Sequence, residues 1–181
     1  YTLDGTDPRP PGVVSPQDDA NGLVAEDAAK RVLVPTGNIS QSWRGGAPYS
    51  DASWTSGTGG VGYERSSGYG PLFNINVGTQ MYNVNGSCYI RIPFTFTAED
   101  ANDLAGLTLQ MRYDDGFVAY VNGVEVARDR FTGTPQWNSV ANGSHSDPEA
   151  MQFADFNITA HAELLREGDN LLAIHGLNAS T

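Results

Sequence analysis

The fold is decided by residues 113–128, which read Tyr-Asp-Asp-Gly-Phe-Val-Ala-Tyr-Val-Asn-Gly-Val-Glu-Val-Ala-Arg. Two apolar runs, 117–121 and 124–127, flank Asn122-Gly123, and an Asn-Gly pair in that position is the strongest short-range signal for a two-residue β-hairpin. Asp114-Asp115-Gly116 precedes the first run and is typical of a tight turn. The stretch therefore predicts two antiparallel strands that the chain enters through a turn.

Further strands are predicted on both sides of this hairpin. Apolar residues alternate with other residues at 88–96 and 107–113, and a final strand is expected from Asn170 to about Leu177. Pro93 favours an edge position or a bulge for the first of these strands. Asn85-Gly86, between residues 81–84 and 87–96, predicts a second hairpin.

Two short helices are expected between the strands. Thr97 and Asp100 have the spacing of a capping box ahead of residues 98–104. Thr159 is a candidate cap for residues 160–167, with Gly168 as the terminator. Many short antiparallel strands separated by turns predict an all-β antiparallel sandwich or jelly roll with one or two short helices.

Composition excludes several classes of protein. The 181 residues are 39% hydrophobic, too apolar for a disordered chain, yet no apolar run approaches the roughly 20 residues of a membrane-spanning helix. Twenty-one acidic residues against ten basic ones give a net charge of -11, which argues against binding to nucleic acid. Cys88 is the only cysteine, so neither an internal disulfide nor a cysteine-based zinc site can form.

Residues 32–181 resemble one family, the galactose-binding-like jelly rolls (carbohydrate-binding-module-like domains) of bacterial secreted and surface proteins. The resemblance lies in five strings: Ser-Trp-Thr-Ser-Gly at 53–57, Gly-Val-Gly-Tyr-Glu at 60–64, the run at 113–128, Trp-Asn-Ser at 137–139 and Leu-Ala-Ile-His-Gly-Leu-Asn at 172–178. It implies a non-catalytic β-sandwich that often binds carbohydrate, located outside the cell or on its surface.

The first 31 residues are expected to lie outside that domain. Residues 1–9, Tyr-Thr-Leu-Asp-Gly-Thr-Asp-Pro-Arg, resemble the C-terminal β-sandwich module of chitobiases and β-hexosaminidases. We therefore divide the chain into a remnant of a preceding module at 1–16, a polar connector at 17–31 and the jelly-roll domain at 32–181. With no initiating methionine, the sequence is expected to be part of a longer multidomain chain.

Strand direction predicts which loops lie together. If the strand at 107–113 runs upward, the turn at 114–116 and the long loop from 129 to about 151 both belong to the upper end. The Asn85-Gly86 turn belongs there too. Loops as long as 129–151 in a compact domain are commonly functional.

Seven residues in such loops are candidate carbohydrate ligands. Sugar recognition needs a flat aromatic face for the ring, and amide, carboxylate or guanidinium groups for the hydroxyls. One set supplies these groups around the upper end, and a second set lies in the 62–72 loop. The candidates are Trp137, Asn138, Asp114, Asp115 and His145 in the first set, and Tyr63 and Arg65 in the second.

Each candidate also has a structural interpretation. Trp137 could close the end of the sandwich, and Asp114-Asp115-Gly116 is first of all a turn former. Trp43 and Trp54 are interpreted as core or loop anchors, and His175, which alternates within an apolar strand, as a structural histidine.

The jelly-roll resemblance also implies a structural calcium ion, which requires six to eight oxygen ligands. Asp18 and Asp19, near Asn21, form one oxygen-rich cluster, and Asp147 with Glu149 forms another. Neither cluster has the spacing of a defined calcium loop.

These observations lead to two hypotheses. In the first, the domain binds a polysaccharide or oligosaccharide and holds a neighbouring enzyme domain of the same chain on its substrate. In the second, it is a structural spacer or protein-interaction module of a cell-surface protein. Catalysis ranks third, because the sequence contains no nucleophile elbow and no phosphate-binding glycine loop, and the adjacent Asp114 and Asp115 would diverge rather than flank one bond.

Overall fold

A computed structural model describes residues 22–65 and 70–180. Within them the chain forms ten strands: β1 (Lys30–Leu33), β2 (Thr55–Gly57), β3 (Gly60–Gly62), β4 (Phe73–Asn76), β5 (Ser87–Phe96), β6 (Thr108–Met111), β7 (Gly116–Val121), β8 (Val124–Asp129), β9 (Ala154–Asn157) and β10 (Gly168–Leu177). The short α-helices are α1 (Gly78–Met81), α2 (Ala98–Asp103) and α3 (Asp147–Ala150). Single 3₁₀ turns lie at Gln41–Arg44, Gly70–Leu72 and Thr159–Leu164.

Six strands form one antiparallel sheet in the order β2-β1-β5-β10-β7-β8. Two small sheets, parallel β3–β4 and antiparallel β6–β9, pack on one face of it as a second layer. The predicted all-β sandwich, mainly antiparallel, is confirmed.

Both faces of the large sheet are buried, as the alternation in β5 requires. Cys88 and Ile92 face the two small sheets. Tyr89 points the other way and stacks on Trp43, with ring centroids 4.1 Å apart. Trp43 and Trp54 are 0% and 6% exposed, so their interpretation as core anchors is confirmed.

The hairpin at Asn122-Gly123 and the capping box at Thr97 are both confirmed. Asn122 and Gly123 have φ angles of 50° and 93°, the left-handed pair that a type I′ turn needs. Thr97 Oγ1 accepts from the Asp100 amide while the Asp100 carboxylate accepts from the Thr97 amide, and α2 follows. The local sequence was sufficient to predict both motifs, because the hydrogen bonds and backbone angles that define each one involve only neighbouring residues.

The hairpin expected at Asn85-Gly86 is wrong. Helix α1 precedes this pair, and the Asn85 backbone amide donates to Met81 O at 2.9 Å, so no strand leads into the turn. The Asn85 side chain is buried instead, donating to Pro35 O at 2.7 Å and accepting from the Ser87 amide at 3.0 Å.

Thr159 does not cap a helix. Its hydroxyl accepts from the Leu107 amide at 2.9 Å and so joins two loops, and the segment after it is a 3₁₀ turn that ends at Leu164. Gly168, at φ 90°, starts β10 rather than ending a helix.

Pro93 does not lie in an edge strand, because β5 lies between β1 and β10. However, β1 pairs only with Tyr89, Ile90 and Arg91. Pro93 pairs with Leu171 on the β10 side and lies beyond the end of β1. A missing amide hydrogen therefore costs no ladder hydrogen bond at this position.

The expected connector runs into the sandwich. β1 starts at Lys30, and Val24 and Ala28 pack against the core between the large sheet and β6–β9. The expected module remnant at 1–16, with its chitobiase-like string, lies outside the described residues, and the domain division stays a prediction. None of the helices in the described ranges is long and apolar enough to cross a membrane.

Candidate functional site

The predicted loops meet at one end of the sandwich. Asp115 Oδ1 accepts from the His145 amide at 2.9 Å, and Oδ2 accepts from the Ala179 amide at 2.6 Å. The hydroxyl of Tyr63 accepts from Asn178 Nδ2 at 2.8 Å. We call this end, formed by residues 63–65, 82–86, 113–115, 130–146 and 178–180, the rim.

Asp115 and His145 hold the rim together rather than facing outward. Both Asp115 carboxylate oxygens accept backbone amides, as described above. His145 is buried, its Nδ1 lies 2.8 Å from Tyr113 O, and its ring stacks on Tyr113 with centroids 4.4 Å apart. Their polar atoms are therefore largely occupied by the protein itself.

Asp114 and Tyr63 lie close together on the outer side of the same corner. Asp114 is exposed and Tyr63 is half-buried. Burial raises the pKa of the Tyr63 hydroxyl, and the nearby charge of Asp114 adds to that rise. The Asp114 carboxylate is thus the exposed acceptor of the Asp-Asp-Gly turn.

Arg65 and Tyr82 form the aromatic element of the rim. The Arg65 guanidinium carbon lies 3.9 Å from the Tyr82 ring centroid, and an Arg65 amino group donates to the Tyr82 hydroxyl. Tyr63 packs edge-on against the same ring at 6.3 Å. Sequence reasoning missed Tyr82 because it expected a strand there, which would have placed successive side chains on opposite faces.

Apolar side chains continue this surface. Val84 and Val140 are 65% and 38% exposed. Val140 packs against Gly86, where a Cβ would lie 2.6 Å from Val140 Cγ1. The surface formed by Arg65, Tyr82, Val84, Trp137, Asn138 and Val140 is called the rim patch.

Trp137 and Asn138 extend the patch along the long loop. The carbonyl of Trp137 accepts from Asn85 Nδ2 at 3.2 Å, which fixes the loop above the start of β5. Trp137 is half-buried and Asn138 is exposed. Trp137 therefore remains partly accessible at the rim.

His175 is a buried structural residue. It is 0% exposed, and its Nε2 lies 2.8 Å from Ser87 Oγ, which donates to Ser139 O. Burial, with a smaller contribution from the charge of Arg44, lowers the pKa of His175 to about 3. This neutral serine–histidine pair has no access to solvent and no carboxylate partner among its hydrogen bonds.

The residues that the structure describes do not fit a calcium site built from side chains. No three histidine, cysteine, aspartate or glutamate side chains converge within 22–65 and 70–180. Glu149 Oε2 accepts from Ser146 Oγ and belongs to the His145 surroundings. Asp18 and Asp19 lie outside these ranges, so calcium there stays a prediction and enters no step below.

No protein-family model and no curated protein matches the chain. Among solved structures, a calcium-binding mutant of β-glucuronidase 2 from Bacteroides uniformis is 15% identical, with a TM-score of 0.48, over 84% of this chain and 14% of that one. A β-glucuronidase from an uncultured Clostridium species is 14% identical, with a TM-score of 0.48, over 84% of this chain and 21% of its own. A glycosyl hydrolase family 2 member from Bacteroides cellulosilyticus is 15% identical, with a TM-score of 0.45, over 86% of this chain and 17% of its own. The chain thus spans between a seventh and about a fifth of the length of these three structures.

Proposed function

We propose that this domain is a non-catalytic accessory module that binds a polysaccharide or oligosaccharide through the rim patch. The observation that carries the proposal is the exposed ring of Tyr82, stacked with Arg65 and continued by Val84 and Val140. Such a surface offers an apolar face to a sugar ring next to a planar donor for its hydroxyls. The resemblance to carbohydrate-binding jelly rolls favours the same function and a secreted or cell-surface bacterial protein.

The rim residues divide into two roles in this proposal. Asp115, His145 and Tyr63 fix the loops through the hydrogen bonds described above. The residues that would contact the glycan are Tyr82, Trp137 and Arg65, with the exposed Asn138 and Asp114 beside them. A scaffold already held by its own hydrogen bonds would lose little conformational entropy on binding.

Affinity electrophoresis against a panel of neutral and acidic polysaccharides tests the proposal. We expect at least one polysaccharide to retard the domain, and Tyr82→Ala and Val84→Ala to reduce the retardation. Val124→Ala is the matched control, because Val124 is another exposed valine, 45% exposed, in the hairpin at the opposite end. Unchanged mobility in every gel, or an equal effect of Val124→Ala, would contradict the proposal.

A second candidate function is docking against a neighbouring domain of the same chain. It is favoured by the internal use of Asp115 and His145, which leaves the rim patch richer in apolar groups than in free polar ones. Exposed apolar patches commonly mark protein contacts. Fluorescence of the rim distinguishes the two, since a glycan that retards the domain should also change the Trp137 emission, whereas a docking surface would respond to no glycan.

A further inference from the structure

A cleft separates the two small sheets of the second layer. It has a volume of about 360 Å³ and lies between Glu26 and Asp27 on one side, Gly59, Gly60 and Asn74 on another, and Arg112 on the third. Gly59, Gly60 and Asn74 belong to the β3–β4 side, whereas Arg112 directly follows β6. The cleft exists because the second layer is two separate ladders rather than one continuous sheet.

The walls of the cleft are fastened to one another. Lys30 is 8% exposed, and its ammonium donates to Glu26 O at 3.0 Å and to Gly59 O at 2.6 Å. Arg112 donates to Glu26 Oε1 at 2.6 Å and lies over the Phe153 ring, with its guanidinium carbon 4.1 Å from the centroid. These contacts preform the cleft, and preformed sites bind at a lower entropic cost.

Two glycines allow the β3 wall to come close to β4. A Cβ at Gly60 would lie 2.2 Å from Leu72 O, and one at Gly59, whose φ is +71°, would lie 2.6 Å from Asn74 Nδ2. Side chains at these positions would displace the β4 end of the wall. The backbone itself therefore forms this side of the cleft.

Hydrogen-bonding groups without protein partners line the space. Neither the Asp27 carboxylate nor the Asn74 side-chain amide hydrogen-bonds to any residue within 22–65 or 70–180, and both side chains are exposed. Acceptors on one wall thus face donors on the others, next to the apolar side chain of Leu72.

The charges determine the class of ligand. Glu26 and Arg112 neutralise each other, and burial lowers the pKa of Lys30, whose ammonium faces two carbonyls. The negative charges of Glu26 and Asp27 both act on the Lys30 ammonium and oppose that lowering, so these two carboxylates are offset by Arg112 and Lys30, and this balance favours a neutral ligand. The volume lies at the lower end of the roughly 300–1,000 Å³ typical of ligand pockets. We propose that this cleft binds a neutral polyhydroxylated ligand of one or two sugar units, independently of the rim patch.

Two-dimensional ¹H–¹⁵N NMR tests the proposal, with galactose, mannose, cellobiose and glucuronate as the probes. At least one of the three neutral sugars should shift the amide signals of Gly59 and Gly60 saturably, and glucuronate at the same concentration should not. Asp27→Asn and Asn74→Ala should each weaken binding about tenfold, the effect of losing roughly 1.4 kcal/mol of hydrogen bonding. Asp169→Asn, at an exposed aspartate on β10, is the matched control and should leave the affinity unchanged.

The proposal for the cleft and the proposal for the rim patch can be tested independently of each other. Tyr82→Ala should leave the Gly59 and Gly60 shifts intact, and Asp27→Asn should leave polysaccharide retardation by the rim intact. The cleft proposal is overturned if none of the three neutral sugars moves these two amides, if glucuronate moves them equally, or if the shifts survive in both cleft variants unchanged. Loss of the shifts in Tyr82→Ala would also overturn it, because it would assign the sugar to the rim.

Discussion

His175 links a single buried side chain to the pH dependence of stability. Burial lowers its pKa from 6.5 to about 3. Below pH 6.5 the histidine is therefore protonated in the unfolded chain, whereas in the folded protein it stays neutral until the pH approaches 3. Stability is then complete above pH 6.5 and falls as the pH drops from 6.5 towards 3. At about 1.4 kcal/mol per pH unit, the free energy of unfolding should fall by about 2 kcal/mol between about pH 7.5 and 5.

His175→Gln should remove that part of the pH dependence, because glutamine keeps a donor towards Ser87 Oγ and has no proton to gain. Urea denaturation at several pH values measures the difference. Equal slopes for the parent and the variant above pH 5 would show that His175 is not the group responsible.

At the same scale, the Asn85 side-chain amide joins the long loop of the rim to two segments beside it. It donates to Pro35 O and Trp137 O and accepts from the Ser87 amide, while only 3% exposed. Asn85→Asp removes both donors and places a charge beside two carbonyl oxygens, so we expect a loss of roughly 3 kcal/mol of stability. Asn138→Asp makes the same change at an exposed rim position and should cost less than about 0.5 kcal/mol. Urea midpoints would contradict this account if the two variants were equally destabilised.

At the scale of elements, the β7–β8 hairpin is held from outside as well as by its own turn. Gly123 has φ +93°, and a Cβ there would lie 2.6 Å from Gly45 O, because the 45–46 loop crosses the turn. Gly133 has a similar φ of +85° with nothing within 4 Å. Gly133→Ala should therefore cost only the strain of the left-handed backbone, about 1–2 kcal/mol, while Gly123→Ala should cost roughly 3 kcal/mol or more. Thermal unfolding of both variants gives the comparison, and equal losses would exclude the contact with Gly45 as the cause.

The elements that the sequence predicted correctly are those that local patterns specify. The alternation in β5, the Asn122-Gly123 turn and the Thr97 capping box each need only neighbouring residues. The pairing of β6 with β9 depends on a ladder between Leu109 and Phe156, far apart in sequence. A pattern of period two shows that a strand has a buried face, but it does not identify the partner strand.

At the scale of the whole molecule, strand direction was sufficient to place the loops and insufficient to place the side chains. The corner at Asp115 and the loop at His145 meet as the strand directions predict. Two successive antiparallel strands return the chain to the end of the sandwich from which it started. Whether Asp115 faces solvent or accepts the Ala179 amide depends on tertiary hydrogen bonds that no local pattern contains. The cleft was missed for the same reason, because Asp27, Gly59, Asn74 and Arg112 come from four separate segments.

Lys30 provides a test of whether the two layers unfold together. It lies in β1 of the large sheet and binds the carbonyls of Glu26 and Gly59, so its ammonium becomes accessible only when segment 22–29 or β1 separates from β3. Val24 and Ala28 pack into the core between the layers, so this separation should cost as much as global unfolding. Acetylation of Lys30, followed by mass spectrometry across a urea series, should therefore rise together with the change in tryptophan fluorescence, which reports mainly on buried Trp43 and Trp54. Ala29→Lys places an amine at the exposed neighbouring position and should be acetylated at every urea concentration. If Lys30 reacts while the fluorescence is still native, the segment opens on its own, and the cleft wall it carries cannot be the rigid one inferred above.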